Sequence, residues 1–295
     1  MRIRLADVGI YFTATTRRPW ELRTPVILGL HGGPGIDGSQ LRYYLDPQQE
    51  WATVVVPDQR GHGRSDRSTP AHWTLAQWAE DIRQLIEALG LEDVLLVGTS
   101  FGGFVVQRFL ASYPGVARGG VVVGSSPRRA SEEEIVERYR DLGGDEVARV
   151  MQRTLTDPSP ESEEEWARVC APFSRLRPPD EVLSRIARER VNTPEVNEHF
   201  MATFADLDLR ADLAAVRDPM LVLVGARDPL TPPGTAAEIQ QHSGSEVTFQ
   251  LIEEASHQVL WDQPGRSDAL LRTFARSHGL PVRESRPPES RPPES

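Results

Sequence analysis

The sequence predicts an α/β fold in which helices cover both faces of a mostly parallel sheet. Three observations support this prediction. Short apolar runs alternate with segments of helical periodicity, and most of the runs end at loops that contain glycine or proline. A long helical segment interrupts the alternation before the last two runs. Strands that are buried on both faces read as continuous apolar runs, because neither side of the strand contacts water.

The first half of the chain begins with two short strands within residues 2–15, which we expect to form a hairpin at an edge of the sheet. Residues 74–89 carry apolar side chains at helical spacing, with Thr74 as a plausible N-cap and Gly90 as a stop signal. A further helix is predicted at Phe101–Ser112, directly after the third of the buried strands. The buried strands are predicted at Val26–Leu30, Val54–Val56, Val94–Val97 and Val121–Val123.

Residues 127–212 differ from the rest of the chain. They are helical in character, and their 13 arginines and 20 acidic residues contribute −7 to the total net charge of −10. Strand-like runs return at Leu221–Val224 and Val247–Ile252, and a helix is predicted from about Pro264 to Ser277. The interrupting segment is therefore expected to form a helical cap over the carboxyl ends of the strands, where ligands bind in sheets of this kind.

The resulting domain organisation places residues 1–126 and 213–280 in one sheet domain and residues 127–212 in the helical cap. Residues 281–295 contain a repeated Glu-Ser-Arg-Pro-Pro sequence and have little apolar content to bury. We expect this tail to be disordered.

Composition excludes several classes of function. The net charge of −10 argues against a nucleic acid partner. All 33 basic residues are arginine, which excludes a lysine Schiff base and a serine–lysine dyad. The single cysteine, Cys170, cannot form an internal disulfide and is expected to be a small buried hydrophobe.

The sequence also lacks the signals of membrane and metal proteins. No apolar run approaches the ~18 residues of a membrane span, and the N-terminus has no secretory signal. We therefore expect a cytoplasmic protein that does not bind membranes. No HExxH or CxxC spacing is present, so neither a metal nor another cofactor is expected.

The segment Gly98-Thr99-Ser100-Phe101-Gly102 lies between a predicted strand and a predicted helix. A sharp turn at this place would expose the Ser100 hydroxyl beside the unpaired N–H groups of the helix N-terminus, as in a nucleophile elbow. Only glycine fits the flanking positions of such a turn. The alternative is a glycine-rich turn with an incidental serine. The strand-then-helix context favours Ser100 as a nucleophile.

A serine hydroxyl needs an adjacent base to become reactive. Asp228 follows the strand Leu221–Val224, and His257 follows the strand Val247–Ile252. This is the chain order in which an acid and a histidine follow the nucleophile in such folds. We expect His257 to accept the serine proton and Asp228 to orient the imidazole. Taken singly, each is more simply a loop residue, but three in this order at strand ends are hard to attribute to chance.

Tetrahedral intermediates of acyl transfer need two converging N–H donors. One should be the backbone N–H of Phe101, directly after the nucleophile. The second should come from the loop His31-Gly32-Gly33-Pro34-Gly35, which follows a predicted strand. Proline has no N–H, so Gly33 is the best candidate. A glycine–proline turn without a catalytic role is the alternative.

Together these motifs resemble the α/β-hydrolase superfamily. HGGPG at 31–35, DQRG at 58–61, GTSFGG at 98–103, GARDPLTP at 225–232 and ASHQ at 255–258 occur in the order seen there. The pair HGGPG and DQRG most resembles the proline iminopeptidase group. The resemblance covers about residues 20–125 and 205–275, and it implies the α/β-hydrolase fold.

In that group, as the resemblance implies, glutamates near the cap bind the free amino end of a peptide, and Glu198 is the matching position here. A carboxylate facing a pocket of low dielectric would select an ammonium group. The acidic residues 127–212 would likewise favour cationic substrates. A solvated glutamate on a helix face is the alternative. The chain departs from the group at Pro229, where a second glutamate is frequent, and in GTSFGG, where GGSWG is usual.

The sequence therefore predicts a serine hydrolase for a small-molecule or short-peptide substrate. The first hypothesis is an aminopeptidase that releases N-terminal proline or small residues. The second is a carboxylesterase or enol-lactone hydrolase, since the segment at 60–66 is equally typical of those enzymes. The third is a non-catalytic binding protein that retains the fold. The oligomeric state is not indicated.

Overall fold

The computed structural model describes residues 1–16 and 25–282. Its centre is an eight-stranded sheet of order β1-β2-β4-β3-β5-β6-β7-β8. The strands are β1 (Arg2–Arg4), β2 (Gly9–Ala14), β3 (Val26–Leu30), β4 (Thr53–Pro57), β5 (Val94–Thr99), β6 (Gly119–Val123), β7 (Met220–Gly225) and β8 (Val247–Ile252). Strands β3 to β8 are parallel, while β1 and β2 form an antiparallel hairpin at one edge. The predicted mostly parallel sheet and its edge hairpin are confirmed.

Helices lie along the chain between these strands and after the last one. The α-helices of the described residues are α1 (Ser39–Tyr44), α2 (Leu75–Leu89), α3 (Phe101–Ser112), α4 (Glu132–Gly143), α5 (Asp145–Thr156), α6 (Pro160–Val169), α7 (Glu181–Glu189), α8 (Pro194–Phe204), α9 (Arg210–Leu213), α10 (Pro233–His242), α11 (Val259–Asp262) and α12 (Pro264–Ser277). Short 3₁₀ helices lie at Asp46–Glu50, Pro70–His72 and Ala171–Ser174.

Two hydrophobic clusters, one on each face of the sheet, explain the apolar runs. In β3, Leu28 and Leu30 pack into the cluster that contains α2 and α3, whereas Ile27 packs into the cluster that contains α1 and α12. Every residue of β3 is buried, and the same holds for β4, β6 and β7. Alternate side chains therefore all enter apolar surroundings, and the predicted coverage of both faces is confirmed.

The ends of α2 show how local sequence sets an element. The Thr74 hydroxyl accepts a hydrogen bond from the N–H of Gln77 at 3.2 Å. Gly90 ends the helix with a φ of 58°, a conformation that glycine adopts without steric cost. Both predicted end signals are confirmed.

Residues 127–212, called the insertion below, lie between β6 and β7 and contain helices α4 to α8 and all but the last residue of α9. The two ends of the insertion meet, since Arg128 forms a β-bridge with Asp208 and the N–H of Leu209 donates to the carbonyl of Pro127 at 2.7 Å. The insertion has a small core of its own, in which Cys170 is fully buried as expected. That core comprises Val136, Tyr139, Val147, Ala148, Val150, Met151 and Cys170.

Two expectations concern the whole chain. No helix within residues 1–16 and 25–282 is long and apolar enough to span a bilayer. The tail predicted to be disordered, 281–295, lies outside the described residues from position 283 onward.

Candidate active site

Ser100 lies at the junction between β5 and α3. Its φ of 50° and ψ of −116° belong to a region that residues with a side chain rarely adopt. The N–H of Ser100 donates to the carbonyl of Val123 at 2.9 Å, which ties the turn to the end of β6. Strained conformations of this kind persist where the surrounding structure holds them, and they are frequent at active sites.

The glycines on either side of Ser100 are required by close contacts. A Cβ atom on Gly98 would overlap the carbonyl oxygen of Gly102, and one on Gly102 would overlap the carbonyl oxygen of Leu30. Strand β5, helix α3 and strand β3 therefore meet at backbone distance. The expectation that only glycine fits at these two positions is confirmed.

Asp228 and His257 follow the neighbouring strands β7 and β8. Asp228 is fully buried, and its Oδ1 accepts the N–H groups of Leu230 and Thr231 at 2.8 and 2.9 Å. The Nδ1 atom of His257 lies 2.9 Å from Oδ2 of the same carboxylate and 3.1 Å from Oδ1. The turn after β7 thus fixes the carboxylate in place, and the carboxylate fixes the imidazole.

The protonation of His257 follows from its surroundings. Burial by itself lowers the pKa of His257, but the carboxylates of Asp228 and Asp262 outweigh burial, and the pKa lies above its ordinary value. In the neutral ring, Nδ1 carries the proton and donates a hydrogen bond to Asp228. Nε2 is then free to accept a proton, which is the arrangement that a general base requires.

A cavity of about 470 Å³ joins the nucleophile candidate to the base candidate, because Ser100 and His257 both line it. Gly32 and Gly33 lie on the same wall, and an added Cβ atom on Gly32 would stand 3.3 Å from Cβ of Ser100. Cavities of this size hold small organic ligands. The structure therefore brings the loops after β3, β5 and β8 around one space.

Two backbone amides near Ser100 have no hydrogen-bond partner among the described residues. One is the N–H of Phe101, the first residue of α3, and helix geometry provides no partner for an amide in that position. The other is the N–H of Gly33, in the loop after β3, where φ is 115°. Both amides remain able to donate to a ligand.

His31 orders the loop after β3 and is not a second candidate for the base beside His257. Its Nε2 accepts the N–H of Gln59 at 3.1 Å, and its Nδ1 donates to the carbonyl of Gly32 at 2.9 Å. Both ring nitrogens are therefore occupied. Burial lowers the pKa of His31, and burial also lowers the pKa of the neighbouring His62 well below its usual value. Both rings are neutral and structural.

The DQRG motif is also structural. The side chain of Arg60 is fully enclosed, and its guanidinium donates to both oxygens of Asp81 at 2.7 Å. Asp7 accepts two further hydrogen bonds from it. Asp58 accepts the N–H groups of Gly38 and Arg64 at 2.9 and 2.8 Å. The motif holds the loops below the cavity, and it lines no part of the cavity itself.

The prediction that Glu198 faces the cavity is wrong. Glu198 is exposed on α8 and does not line the cavity. Helix α8 buries Val196 and Phe200, and the ring of Phe200 packs edge-to-face on Phe101 at 5.1 Å. This packing directs the opposite face of the helix, with Glu198, to solvent.

The insertion contributes Trp166, Arg175 and Arg190 to the cavity wall. The expectation that an acidic insertion makes the cavity favour cations is therefore corrected, since both charged groups that the insertion provides are positive. Sequence reasoning missed these arginines because no motif or periodicity distinguishes them from the other eleven in the insertion. In the part of the chain that the structure describes, no cluster of three or more metal-ligating side chains is present.

Comparisons with known proteins agree with this architecture. The model of the family described as alpha/beta hydrolase fold matches residues 25–264. A proline iminopeptidase from Levilactobacillus brevis is 28% identical over 280 residues, covering 88% of this chain and 91% of the relative. Monoacylglycerol lipase ABHD6 from Mus musculus is 24% identical over 287 residues, covering 94% and 83%. The crystal structure of proline iminopeptidase from Mycobacterium smegmatis has the same fold, with a TM-score of 0.75 at 20% identity, covering 94% of this chain and 98% of that one.

Proposed function

This chain belongs to the alpha/beta hydrolase fold family, and from that premise we propose that it is a serine hydrolase working through an acyl-enzyme at Ser100. One observation carries the proposal. The strained Ser100 and the Asp228-bound imidazole of His257 open into the same cavity, beside two unpaired N–H groups. A nucleophile, a base, an orienting acid and oxyanion donors are the parts that acyl transfer needs.

The reaction begins when Oγ of Ser100 attacks the substrate carbonyl carbon while Nε2 of His257 takes the hydroxyl proton. The carbonyl oxygen becomes an oxyanion, and the N–H groups of Gly33 and Phe101 donate to it. Such a donor contributes about 10²–10³ in kcat. The imidazolium formed at His257 is stabilised by the carboxylate of Asp228.

The intermediate collapses when the bond to the leaving group breaks and His257 gives its proton to the departing alcohol or amine. A water molecule then attacks the acyl-Ser100 carbonyl and transfers a proton to His257. The second collapse releases a carboxylic acid and returns the proton to Oγ of Ser100. No group besides the substrate and water is needed for the atoms to balance.

We take a small carboxylic ester or lactone as the substrate class. An ammonium-binding site needs a carboxylate with a free face. Asp37 is the carboxylate that lines the cavity, and it already pairs with Arg64 at 3.0 Å and accepts the N–H of Val191 at 3.0 Å. The relative named as a monoacylglycerol lipase is an ester hydrolase.

An aminopeptidase is the second candidate. It is supported by the relative named as a proline iminopeptidase and by the HGGPG loop at 31–35. It lacks the support that Glu198 was expected to provide. We expect a cytoplasmic location for either candidate, because a single cysteine fits a reducing compartment.

The test combines labelling with parallel assays. A fluorophosphonate probe is expected to label the wild-type protein and not the Ser100→Ala variant. Purified protein is then assayed on para-nitrophenyl butyrate, on a prolyl para-nitroanilide and on its N-acetyl derivative. We expect turnover of the ester and little or no turnover of either anilide.

Three outcomes would change the assignment. Faster turnover of the prolyl anilide than of the ester, abolished by N-acetylation, would make the chain an aminopeptidase. Labelling of the Ser100→Ala variant would contradict the assigned nucleophile. Absence of both labelling and turnover in the wild-type protein would favour a binding protein that retains the fold.

A further inference from the structure

The cavity at Ser100 is lined by positive charge that forms no ion pair with the residues the structure describes. Its lining includes two arginines, Arg175 and Arg190, and one carboxylate, Asp37. The remaining titratable wall residues are His31, His257 and Tyr44. His31 is neutral because burial lowers its pKa, and Tyr44 is neutral because burial raises its pKa to about 12. The net charge of the wall therefore depends on which groups pair with the carboxylate of Asp37.

Asp37 is fully engaged within the protein. It is 1% exposed, and its Oδ1 accepts the N–H and the hydroxyl of Ser39. Its Oδ2 accepts the N–H of Val191 at 3.0 Å and the guanidinium of Arg64 at 3.0 Å. Arg64 pairs with Asp37 and also lies 3.9 Å from Oδ2 of Asp58, whereas Arg175 and Arg190 form no ion pair with Asp37.

The two residues that follow Arg175 in the chain hold it next to the segment after His257. The N–H groups of Leu176 and Arg177 both donate to Oδ1 of Asp262 at 3.0 Å. The guanidinium of Arg177 stacks over the ring of Trp261 at 4.2 Å. Trp261 and Asp262 lie a few residues after His257, so these contacts fix the position of Arg175 relative to the catalytic base.

The guanidinium of Arg175 has no carboxylate partner among the described residues. Its Nε atom is buried and makes no hydrogen bond. Asp262 uses Oδ1 for the N–H groups of Leu176 and Arg177 and Oδ2 for the N–H of Ser256 at 2.9 Å, and it forms no ion pair with Arg175. The guanidinium also contacts the Tyr44 hydroxyl, so the unmet donor is the buried Nε. A buried donor without an acceptor is costly, so the site favours an incoming acceptor.

Arg190 is held in a similar way next to the loop after β3, which contains Gly33. It ends α7, and the following N–H of Val191 donates to Asp37. The N–H of Thr193 donates to the carbonyl of Gly35 at 2.8 Å. Two segments of the insertion therefore dock on the two loops that surround Ser100, and each presents an arginine to the cavity.

Arg190 also lacks an ion pair within the described part of the chain. Its Nε donates to the amide oxygen of Asn192 at 3.0 Å, and the exposed Glu189 beside it forms no salt bridge with it. Other arginines of the insertion are paired, for example Arg128 with Glu134 at 2.8 Å and Arg153 with Glu165 at 3.1 Å. Arg138, which also forms no ion pair with the described residues, instead donates to the carbonyls of Asp228 and Ala226.

We propose that the substrate of the Ser100 site carries a carboxylate, remote from the scissile carbonyl, which Arg175 and Arg190 bind. This inference rests on the proposed function, because it assigns the substrate class of the same site. Guanidinium groups bind carboxylates through charge-assisted and frequently bidentate hydrogen bonds. The substrate is then a half-ester of a dicarboxylic acid or a lactone that bears a carboxylate.

The rest of the wall fits such a molecule. Apolar side chains, among them Leu41, Trp166, Leu230 and Leu260, line the same cavity. A short hydrocarbon chain would contact these side chains while its two ends face Ser100 and the arginines. The carboxylate takes no part in bond making, so the acyl transfer described above is unchanged: the ester C–O bond breaks, and water supplies the hydroxyl of the second carboxyl group.

The test uses three para-nitrophenyl esters that differ in the distal group. These are the ester of adipic acid with a free carboxylate, its methyl-ester analogue with no charge, and an analogue of matched length that ends in trimethylammonium. We expect the wild-type protein to prefer the anionic ester over the neutral one by about 10- to 100-fold in kcat/KM, the range of one or two charge-assisted hydrogen bonds. The cationic ester should be the poorest substrate.

Variants identify the groups that are responsible. Arg175→Gln and Arg190→Gln should each reduce the anionic-to-neutral ratio by about 10-fold, mainly through KM, and the lysine variants at these positions should restore part of it. Arg188→Gln is the matched control, since Arg188 is exposed on α7 and does not line the cavity. Its ratio should equal that of the wild-type protein.

Two results would overturn the inference. One is an anionic-to-neutral ratio near one in the wild-type protein while Ser100→Ala abolishes ester turnover, which leaves the proposed function intact. The other is a ratio that none of the arginine variants changes. If the wild-type protein hydrolyses no ester and the probe does not label it, the proposed function fails instead.

A binding measurement separates the inference from turnover. Calorimetric titration of the Ser100→Ala variant with monomethyl adipate should give binding that weakens about 10-fold or more when Arg175→Gln and Arg190→Gln are added. Equal affinity with and without the two arginines would overturn the carboxylate site, whatever the result of the assays.

Discussion

Ser100, Asp228 and His257 each follow a strand of the sheet, whereas Arg175 and Arg190 lie at the ends of short helical elements in the insertion. Strands β5, β7 and β8 are parallel, and backbone hydrogen bonds between neighbours set where they end. The positions of the two arginines depend on side-chain contacts between the insertion and two loops. The comparison indicates that backbone pairing positions the residues proposed to do the chemistry, and that tertiary packing positions the residues proposed to bind the substrate.

The two regions also differ in how deeply they are buried. Strands β3, β4, β6 and β7 are buried throughout, while the insertion packs around seven buried residues of its own. Changes in the sheet region should therefore affect every substrate alike. Changes at the insertion side of the cavity should affect selectivity among substrates.

Replacing the proposed nucleophile should have the largest effect of any change in the sheet region. Ser100→Ala should reduce kcat by about 10⁴–10⁶, equally for anionic and neutral esters, because the acyl-enzyme cannot form. Steady-state assays measure the loss, and a thermal melt checks that the variant is folded. Activity within about 10-fold of the wild-type protein would contradict the assigned nucleophile.

Replacing the orienting acid should have the next largest effect. Asp228→Asn should reduce kcat by about 10³–10⁴, because the imidazole loses the carboxylate that holds its tautomer. The exposed Asp206→Asn is the control and should retain wild-type kcat. A loss of less than about 10-fold in Asp228→Asn would mean that His257 is oriented by another group.

The pH profiles of the wild-type protein and Asp228→Asn test why the pKa of His257 is raised. His257 must be neutral to accept the serine proton, so kcat/KM rises with pH through the pKa of His257. That pKa lies above its ordinary value of about 6.5. Removing the Asp228 carboxylate leaves burial to lower the pKa, so the acid limb of Asp228→Asn should move to lower pH. An unchanged acid limb would assign it to another group.

Arg138 links the two regions, because this residue of α4 donates to the carbonyl oxygens of Asp228 and Ala226. Arg138→Gln should lower the free energy of unfolding by about 1–3 kcal/mol, since these acceptors lose their donor. It should also lower kcat a few-fold for all esters while leaving the anionic-to-neutral ratio unchanged. Chemical denaturation and the three-ester assay measure both effects.

The control for Arg138 is Arg140→Gln on the same helix. Arg140 is an exposed residue that pairs with Glu137 and Asp145, and exposed pairs contribute little. Its free energy of unfolding should stay within about 0.5 kcal/mol of the wild-type value. A shift of the selectivity ratio in Arg138→Gln would show that Arg138 acts on the substrate side.

The smallest effect is expected at Glu198. Because Glu198 is exposed and lies outside the cavity wall, Glu198→Gln should change kcat/KM by less than about 2-fold for the esters and for the prolyl anilide. A large and selective rise in KM for the anilide would instead place Glu198 at the substrate and restore the aminopeptidase hypothesis.

The order of elements could be predicted closely from the sequence. Helices α3 and α12 and strands β3 and β8 have the predicted limits, because apolar runs and turn residues mark each end. The apolar runs before Asp228 and His257, together with their order in the chain, predict both at strand ends, and the structure brings them within hydrogen-bond distance. Glu198 was placed by resemblance, and the packing of Val196 and Phe200 turns it to solvent.

The parallel sheet, the tight turn at Ser100 and the strand ends that carry Asp228 and His257 follow from the sequence alone. These features depend on local patterns and on backbone geometry, which repeat in every chain with the same order of elements. The sign of charge at the cavity, in contrast, depends on how the insertion packs. The insertion has a net charge of −7, yet it presents Arg175 and Arg190 to Ser100, because charge at a wall depends on which side chains remain unpaired after packing and not on their sum.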